Sequence, residues 1–184
     1  IASGYKSLDL PGFAHHVIAL RVAGGVADSR SPSEYEVGGV NGSSLEVVPG
    51  IAIGSSGRTF PIRGFAAGSE AGIRALSASA EYRLPLAVPS RGLGLFPFFV
   101  DRASLALFAD GARASCPAGS APACSPSSED GPTLAAVGAE LDIDSAIQFD
   151  VPYRFRVGVA HPVRGADYAS ASALSLFVTV GGTF

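Results

Sequence analysis

From residue 16 to the C-terminus, apolar side chains recur at every second position in six separate stretches. In ALSLFVTVGGTF, Leu174, Leu176, Val178, Val180 and Phe184 alternate with Ser175, Thr179 and Thr183. In PYRFRVGVAHPV, Tyr153, Phe155, Val157 and Val159 alternate with Arg154, Arg156, Gly158 and Ala160. AAVGAELDIDSA sets Val137, Ala139, Leu141 and Ile143 against Gly138, Glu140, Asp142 and Asp144. RASLALFADGA sets Ala103, Leu105, Leu107 and Ala109 against Arg102, Ser104, Phe108 and Asp110. RALSASAEYRLPL sets Leu76, Ala78, Ala80, Tyr82 and Leu84 against Ser77, Ser79, Glu81 and Arg83, and HVIALRVAGGVA sets Ile18, Leu20 and Val22 against Arg21 and small residues. A period of two is the signature of a strand with unlike faces, so the chain is expected to be all-β and antiparallel. Each of the six strands has roughly the 9 to 11 residues with which a tilted strand crosses a bilayer.

Alternation alone leaves two arrangements open. A soluble sandwich or ligand-binding barrel turns the apolar face inward. A transmembrane barrel turns it toward lipid, and Arg, Glu and Asp line a hydrated lumen. Three features favour the second. Connections alternate between long and short, as in outer-membrane barrels. Tyr82, Phe96, Phe98, Phe99, Phe149 and Tyr153 gather near strand ends, where an interfacial girdle belongs. The sequence closes on an aromatic strand residue, Phe184. Six strands fall short of the roughly eight of the smallest outer-membrane barrels, so the remainder is expected from upstream sequence or another chain. Without it, open edges would present unpaired backbone groups to hydrocarbon.

Composition narrows the function. The 184 residues fit one domain and include neither Met nor Trp, and a chain without Met that begins at Ile1 is expected to be a piece of something longer. No apolar run approaches the roughly 20 residues of a spanning helix. A net charge of −3 supplies no basic stripe, so no nucleic-acid partner is expected. Cys116 and Cys124 share the short stretch CPAGSAPAC, expected to close as a disulfide in an oxidising compartment. No His lies beside them to complete a zinc shell, and His15 and His16, adjacent in a strand, point to opposite faces, so no metal is expected. His16 and its neighbour suit a rim position, and His161 beside Pro162 reads as structural. No Ser-His-Asp set or phosphate-cradling loop is present, so neither catalysis nor a cofactor is expected. The acidic positions Glu140, Asp142 and Asp144 are expected to balance Arg154 and Arg156 across neighbouring strands.

The stretches FPIRGF (60–65), YEVGGVNG (35–42), SASAEYRLPL (77–86), LALFADGA (105–112), VGAELDID (137–144), RVGVAHPV (156–163) and FVTVGGTF (177–184) carry a resemblance. In this order they resemble the C-terminal barrel region of the Omp85 superfamily, the bacterial surface antigen domain, over nearly the whole chain. The most specific element is Ile62-Arg63-Gly64-Phe65, placed in the longest loop before a strand with Glu-Tyr-Arg.

The resemblance implies that residues 1–184 are the last six strands, eleven to sixteen, of a sixteen-stranded transmembrane β-barrel. It makes residues 29–70 an extracellular loop folded back into the lumen. Arg63 would pair there with acidic side chains of the next two strands. Glu81 and Asp110 occupy the inward parity already derived above, independently of the resemblance. Gly64 would supply close approach or a positive φ, and Phe65 would pack on the wall. The alternation through Phe177, Val180, Gly182 and Phe184 resembles the C-terminal signal read by outer-membrane assembly machinery, which the resemblance implies acts through strand addition. The implied activity is non-catalytic insertion or translocation of polypeptides at the bacterial outer membrane. Its partners would be membrane lipid, unfolded outer-membrane proteins, periplasmic accessory proteins and the upstream part of the same barrel. An alternative is a barrel that anchors an upstream periplasmic or surface domain.

Overall fold

The computed structural model describes residues 1–27, 35–40, 46–48, 51–52, 59–116, 132–147, 151–167, 169 and 171–182. The strands, in chain order, are β1 (Ala2–Leu8), β2 (His16–Val26), β3 (Tyr35–Val37), β4 (Glu46–Val48), β5 (Ile51–Ala52), β6 (Thr59–Phe60), β7 (Glu70–Gly72), β8 (Arg74–Ala87), β9 (Arg91–Leu93), β10 (Phe96–Ser115), β11 (Leu134–Ile147), β12 (Val151–Arg164) and β13 (Ser175–Gly182).

The fold is all-β. β1, β2, β8, β10, β11, β12 and β13 follow one another as an antiparallel meander, continued past β13 by β5 and β4, and β9 pairs with β10. Among the described residues the sheet is open, with β1 at one edge and β4 at the other. A small second sheet, in the order β6-β3-β7, lies within the long β2–β8 connection.

The six expected strands are all present, and the count is corrected by a seventh. β1 pairs with β2 from Ala2↔Val22 to Leu8↔His16. Its sequence, ASGYKSL, carries no apolar alternation, and Ala2 to Ser7 are all exposed. The third strand also starts earlier than the alternation suggested. β10 reaches back to Phe96, and a bulge between Val100 and Arg102 switches parity, so Phe98 stands opposite Ile147 on the face of Leu105 and Leu107.

Burial shows which face of the alternation is covered. Leu20 is 55% exposed, Leu107 48%, Val157 49% and Leu176 69%. Asp110, Glu140, Asp142 and Asp144, on the opposite face, are buried. The apolar face therefore points outward and the ionisable face inward. Connections 9–15, 88–95 and 148–150 lie at one end of the sheet, and the longer 27–73, 116–133 and 165–174 at the other. Near the short-turn end the outward face carries Tyr82, hydrogen-bonded to His16 at 2.7 Å, and the Phe98–Phe155 pair. Phe149 lies outside the described residues.

The core sits between the inner face and the β2–β8 connection, with a clear division of volume. The wall contributes mostly small side chains: Ala23, Ala75, Ala112, Ala114 and Ala136. The connection contributes the large ones: Val37, Phe60, Ile62 and Phe65. Burying a side chain such as Phe or Ile is worth about 1.5–3 kcal/mol, so these residues are the main force drawing the connection inward.

Candidate functional site: an infolded arginine on an acidic wall

Residues 35–40 and 59–73 enter the concave face as one hydrogen-bonded unit. β3 pairs parallel with β6 and antiparallel with β7. The Ile62 amide donates to the Gly39 carbonyl and the Gly39 amide to the Phe65 carbonyl, each at 3.1 Å. At the neck, the Ala27 amide donates to the Ile73 carbonyl at 2.7 Å. Backbone groups inside a protein need partners, and this pairing lets a connecting segment be buried.

At the innermost point the chain turns through Gly64, whose φ of +94° favours glycine. A Cβ there would lie 3.1 Å from the Ala160 Cβ and 3.3 Å from the Ala136 Cβ, so lack of a side chain also lets the turn touch the wall. Phe65 is buried in the core cluster, and Arg63 is directed to the middle of the sheet.

The Arg63 guanidinium is hydrogen-bonded through Nε and Nη2 and ion-paired through Nη1. Nε donates to Asp110 Oδ2 at 2.7 Å and Nη2 to Asp110 Oδ1 at 2.8 Å, a bidentate grip. Nη2 also donates to Ser79 Oγ at 3.1 Å, and Nη1 reaches Glu81 Oε1 at 2.9 Å and Glu140 Oε1 at 3.1 Å. The Arg63 amide donates to Asp110 Oδ2 at 3.2 Å, and Ser79 Oγ donates to Asp110 Oδ1 at 2.7 Å. Five donors in a rigid planar fork match this set as a lysine could not. Burial opposes the charge on Arg63, but Asp110, with Glu140 and Glu81 behind it, outweighs that penalty and raises the guanidinium above its ordinary pKa.

An aromatic ring lies against the guanidinium as well. Its Cζ lies 3.6 Å from the centre of the Phe108 ring. Phe108 in turn lies over its cross-strand neighbour Gly138, where an added Cβ would come within 2.5 Å of the ring. The arrangement repeats beside it, with Phe177 over its own neighbour Gly158 and the two rings 6.1 Å apart.

A second carboxylate secures the segment nearer its neck. Glu70 on β7 accepts from the Ala114 amide of β10 through Oε2 at 3.0 Å, and its buried Oε1 has no hydrogen-bond partner. Burial raises the Glu70 pKa, and the Ala114 hydrogen bond and the Arg113 charge only partly offset this.

Glu81 and Asp110, expected as partners of Arg63, both contact it. Glu140 is corrected: it stands opposite Gly158, not an arginine, and turns to Arg63. The other two acidic positions balance arginines across strands, Asp142 opposite Arg156 at 3.8 Å and Asp144 opposite Arg154 at 2.6 Å. Ser79, Phe108 and Glu70 were not singled out from the sequence. Their shared inward parity with Glu81 and Asp110 was the available signal for the first two, and Glu70 had none. Of the C-terminal set, Val180 is exposed on the outward face, Gly182 pairs with Tyr153, and Phe177 is buried on the inward one. Phe184 lies outside the described residues. Cys116 is disulfide-bonded, while Cys124 lies outside the described residues.

The site has the character of a lock. The guanidinium holds an infolded segment against three strands, β8, β10 and β11, and release would leave three carboxylates facing one another. Among the described residues no group of three or more His, Cys, Asp and Glu side chains could hold a metal ion. Comparison of the chain with models of protein families, with curated proteins and with solved structures finds no match.

Proposed function

We propose that these strands are the C-terminal part of an Omp85-like outer-membrane β-barrel, a non-catalytic device that inserts or translocates other polypeptides at the bacterial outer membrane. The observation that carries the reading is the pairing of an outward apolar face with an inward, charge-lined face that holds Arg63. Contiguous exposed apolar patches on soluble monomers seldom exceed a few hundred Å². Here outward Leu and Val side chains on six successive strands, β2 to β13, stand exposed. Lipid is the solvent such a face suits, and upstream strands of the same barrel would pair with the open edges.

In this reading the infolded segment is a plug whose tip is fastened to the middle of the wall. Its position would set how much of the lumen is open. Insertion or translocation would use a passage or seam that the clamp regulates, with unfolded outer-membrane proteins as substrates and periplasmic proteins as accessories.

The test is reconstitution of the intact protein in phospholipid vesicles, followed by addition of a denatured outer-membrane protein. Faster acquisition of the folded, heat-modifiable form than with empty vesicles is expected for an insertase, and uptake into the vesicle lumen for a translocase. Stable vesicle incorporation with neither activity would reduce the protein to an anchor. Failure to incorporate at all would overturn the membrane reading.

A further inference from the structure

Between the Arg63 clamp and the short-turn end, the inward face carries ion pairs of one construction. Arg154 donates through Nε and Nη2 to Asp144 at 2.6 and 3.1 Å, and Arg83 through Nε and Nη2 to Glu81 at 2.9 and 2.6 Å. Arg156 stands opposite Asp142 with its Nε 3.8 Å away. In each pair the guanidinium is the more exposed partner. The side chains of Arg83, Arg154 and Arg156 are 33%, 28% and 35% exposed, against 15%, 13% and 8% for Glu81, Asp144 and Asp142. A carboxylate on a short stem stays close to its own strand, whereas a long arginine carries its charged head past it toward water. Arg21, on the same face opposite Ser79, is exposed too. Asp110 and Glu140 are buried against Arg63. Arg102 lies 3.0 Å from Asp144 but also 3.5 Å from the exposed Asp101, so it adds little.

We infer that a passage along this wall conducts small anions in preference to cations, with Arg83, Arg154 and Arg156 setting the preference. The inference rests on the membrane orientation and the passage proposed above. An ion in the lumen meets the guanidinium groups before the carboxylates beneath them. Coulomb energy falls with distance, so paired charges layered in this way still present a positive surface. Arginine and lysine side chains lining a pore select anions by the same means. Arg156, with its long contact to Asp142, is the most loosely held of the three and the freest to follow a passing anion.

The test uses the intact protein in planar phosphatidylcholine bilayers under an about tenfold KCl gradient, the reversal potential giving the chloride-to-potassium permeability ratio. Wild type is expected to give a ratio above one. Arg156→Gln is expected to lower it roughly threefold, the order for a unit charge passed at about 6 Å in water, and Arg156→Lys to keep it. Arg83→Gln/Arg154→Gln/Arg156→Gln is expected to bring the ratio below one, because the carboxylates are then uncovered. Lys6→Gln, on the outward face level with Ile18, is expected to match wild type. A wild-type ratio below one, no change in Arg156→Gln, an equal fall in Arg156→Lys or Lys6→Gln, or incorporated protein that passes no current would overturn the inference. Failure of every form to enter bilayers would instead remove the membrane reading beneath it.

Discussion

Arg63 sits over Phe108, its guanidinium carbon 3.6 Å from the ring centre, while Asp110 grips it through Nε and Nη2 from the same face of the same strand. One strand thus supplies both a platform and a counter-ion, and Gly138 of the next strand makes room for the platform. The guanidinium is held in position and orientation at once, which a lone ion pair cannot achieve.

Arg63→Ala removes the cation and leaves Asp110, Glu81 and Glu140 facing one another. Removing one partner from a buried ionic group costs about 3–5 kcal/mol. The β2–β8 segment is expected to become protease-sensitive while the strands stay assembled, as read by limited proteolysis. Arg63→Lys should fall between, because three donors cannot fill five positions. Unchanged proteolysis of the alanine variant would refute the clamp.

The three carboxylates around Arg63 are not equivalent. Asp110 makes a bidentate contact, and its loss as Asp110→Asn is expected to cost roughly 1.5–3 kcal/mol of segment docking, the range for hydrogen bonds to charged groups. Glu140 makes one contact and leaves Oε2 buried without a partner. Glu140→Gln keeps an acceptor for Arg63 and removes an excess buried charge, so it is expected to be neutral or stabilising. Denaturation midpoints compare the pair directly, and a larger loss for Glu140→Gln would contradict the ranking.

Gly64→Ala places a Cβ between Ala136 and Ala160 at a φ of +94°. A left-handed conformation costs a residue other than glycine roughly 1–2 kcal/mol, and the contact adds to it. Combining the change with Ala160→Gly should recover only the steric part. Full recovery would show that φ carries no cost here.

The Glu70 carboxyl has a folded pKa above its unfolded value, so its protonated form favours docking. Its contribution is fully present below the unfolded pKa and is lost as pH rises through the raised one. Hydrogen exchange at the Ala114 amide should therefore show greater protection in mild acid than at neutral pH, after correction for intrinsic rates. Glu70→Gln should hold the acid level of protection at both. Protection that instead grew with pH through this range would reverse the assignment.

Alternation was enough to find six strands and to put Glu81 and Asp110 on the face opposite the apolar one, because a period of two assigns every side chain to a face. Which face is inward came from loop lengths, aromatic placement and the C-terminal Phe184. Alternation could not find β1, whose sequence ASGYKSL carries none. Nor could it give Glu140 its partner, since cross-strand logic matches neighbours on a sheet, whereas Arg63 arrives from a segment whose depth no local pattern encodes. That depth was written in a different register, the run of small inward residues at Ala23, Ala75, Ser77, Ala112, Ala114 and Ala136. They leave room for Phe60, Ile62 and Phe65, and they end where the charged positions begin. Phe177 belongs to the same lesson: it lies in the C-terminal alternation but faces inward over Gly158.

The central claim is that the apolar face meets lipid. Spin labels at Leu107, Val157 and Leu176 of the vesicle-reconstituted protein, with collision rates read for oxygen and for a water-soluble nickel chelate, test it most directly. All three labels are expected to collide with oxygen and to be shielded from the chelate. Free collision with the chelate, or shielding from both reagents, would contradict the account.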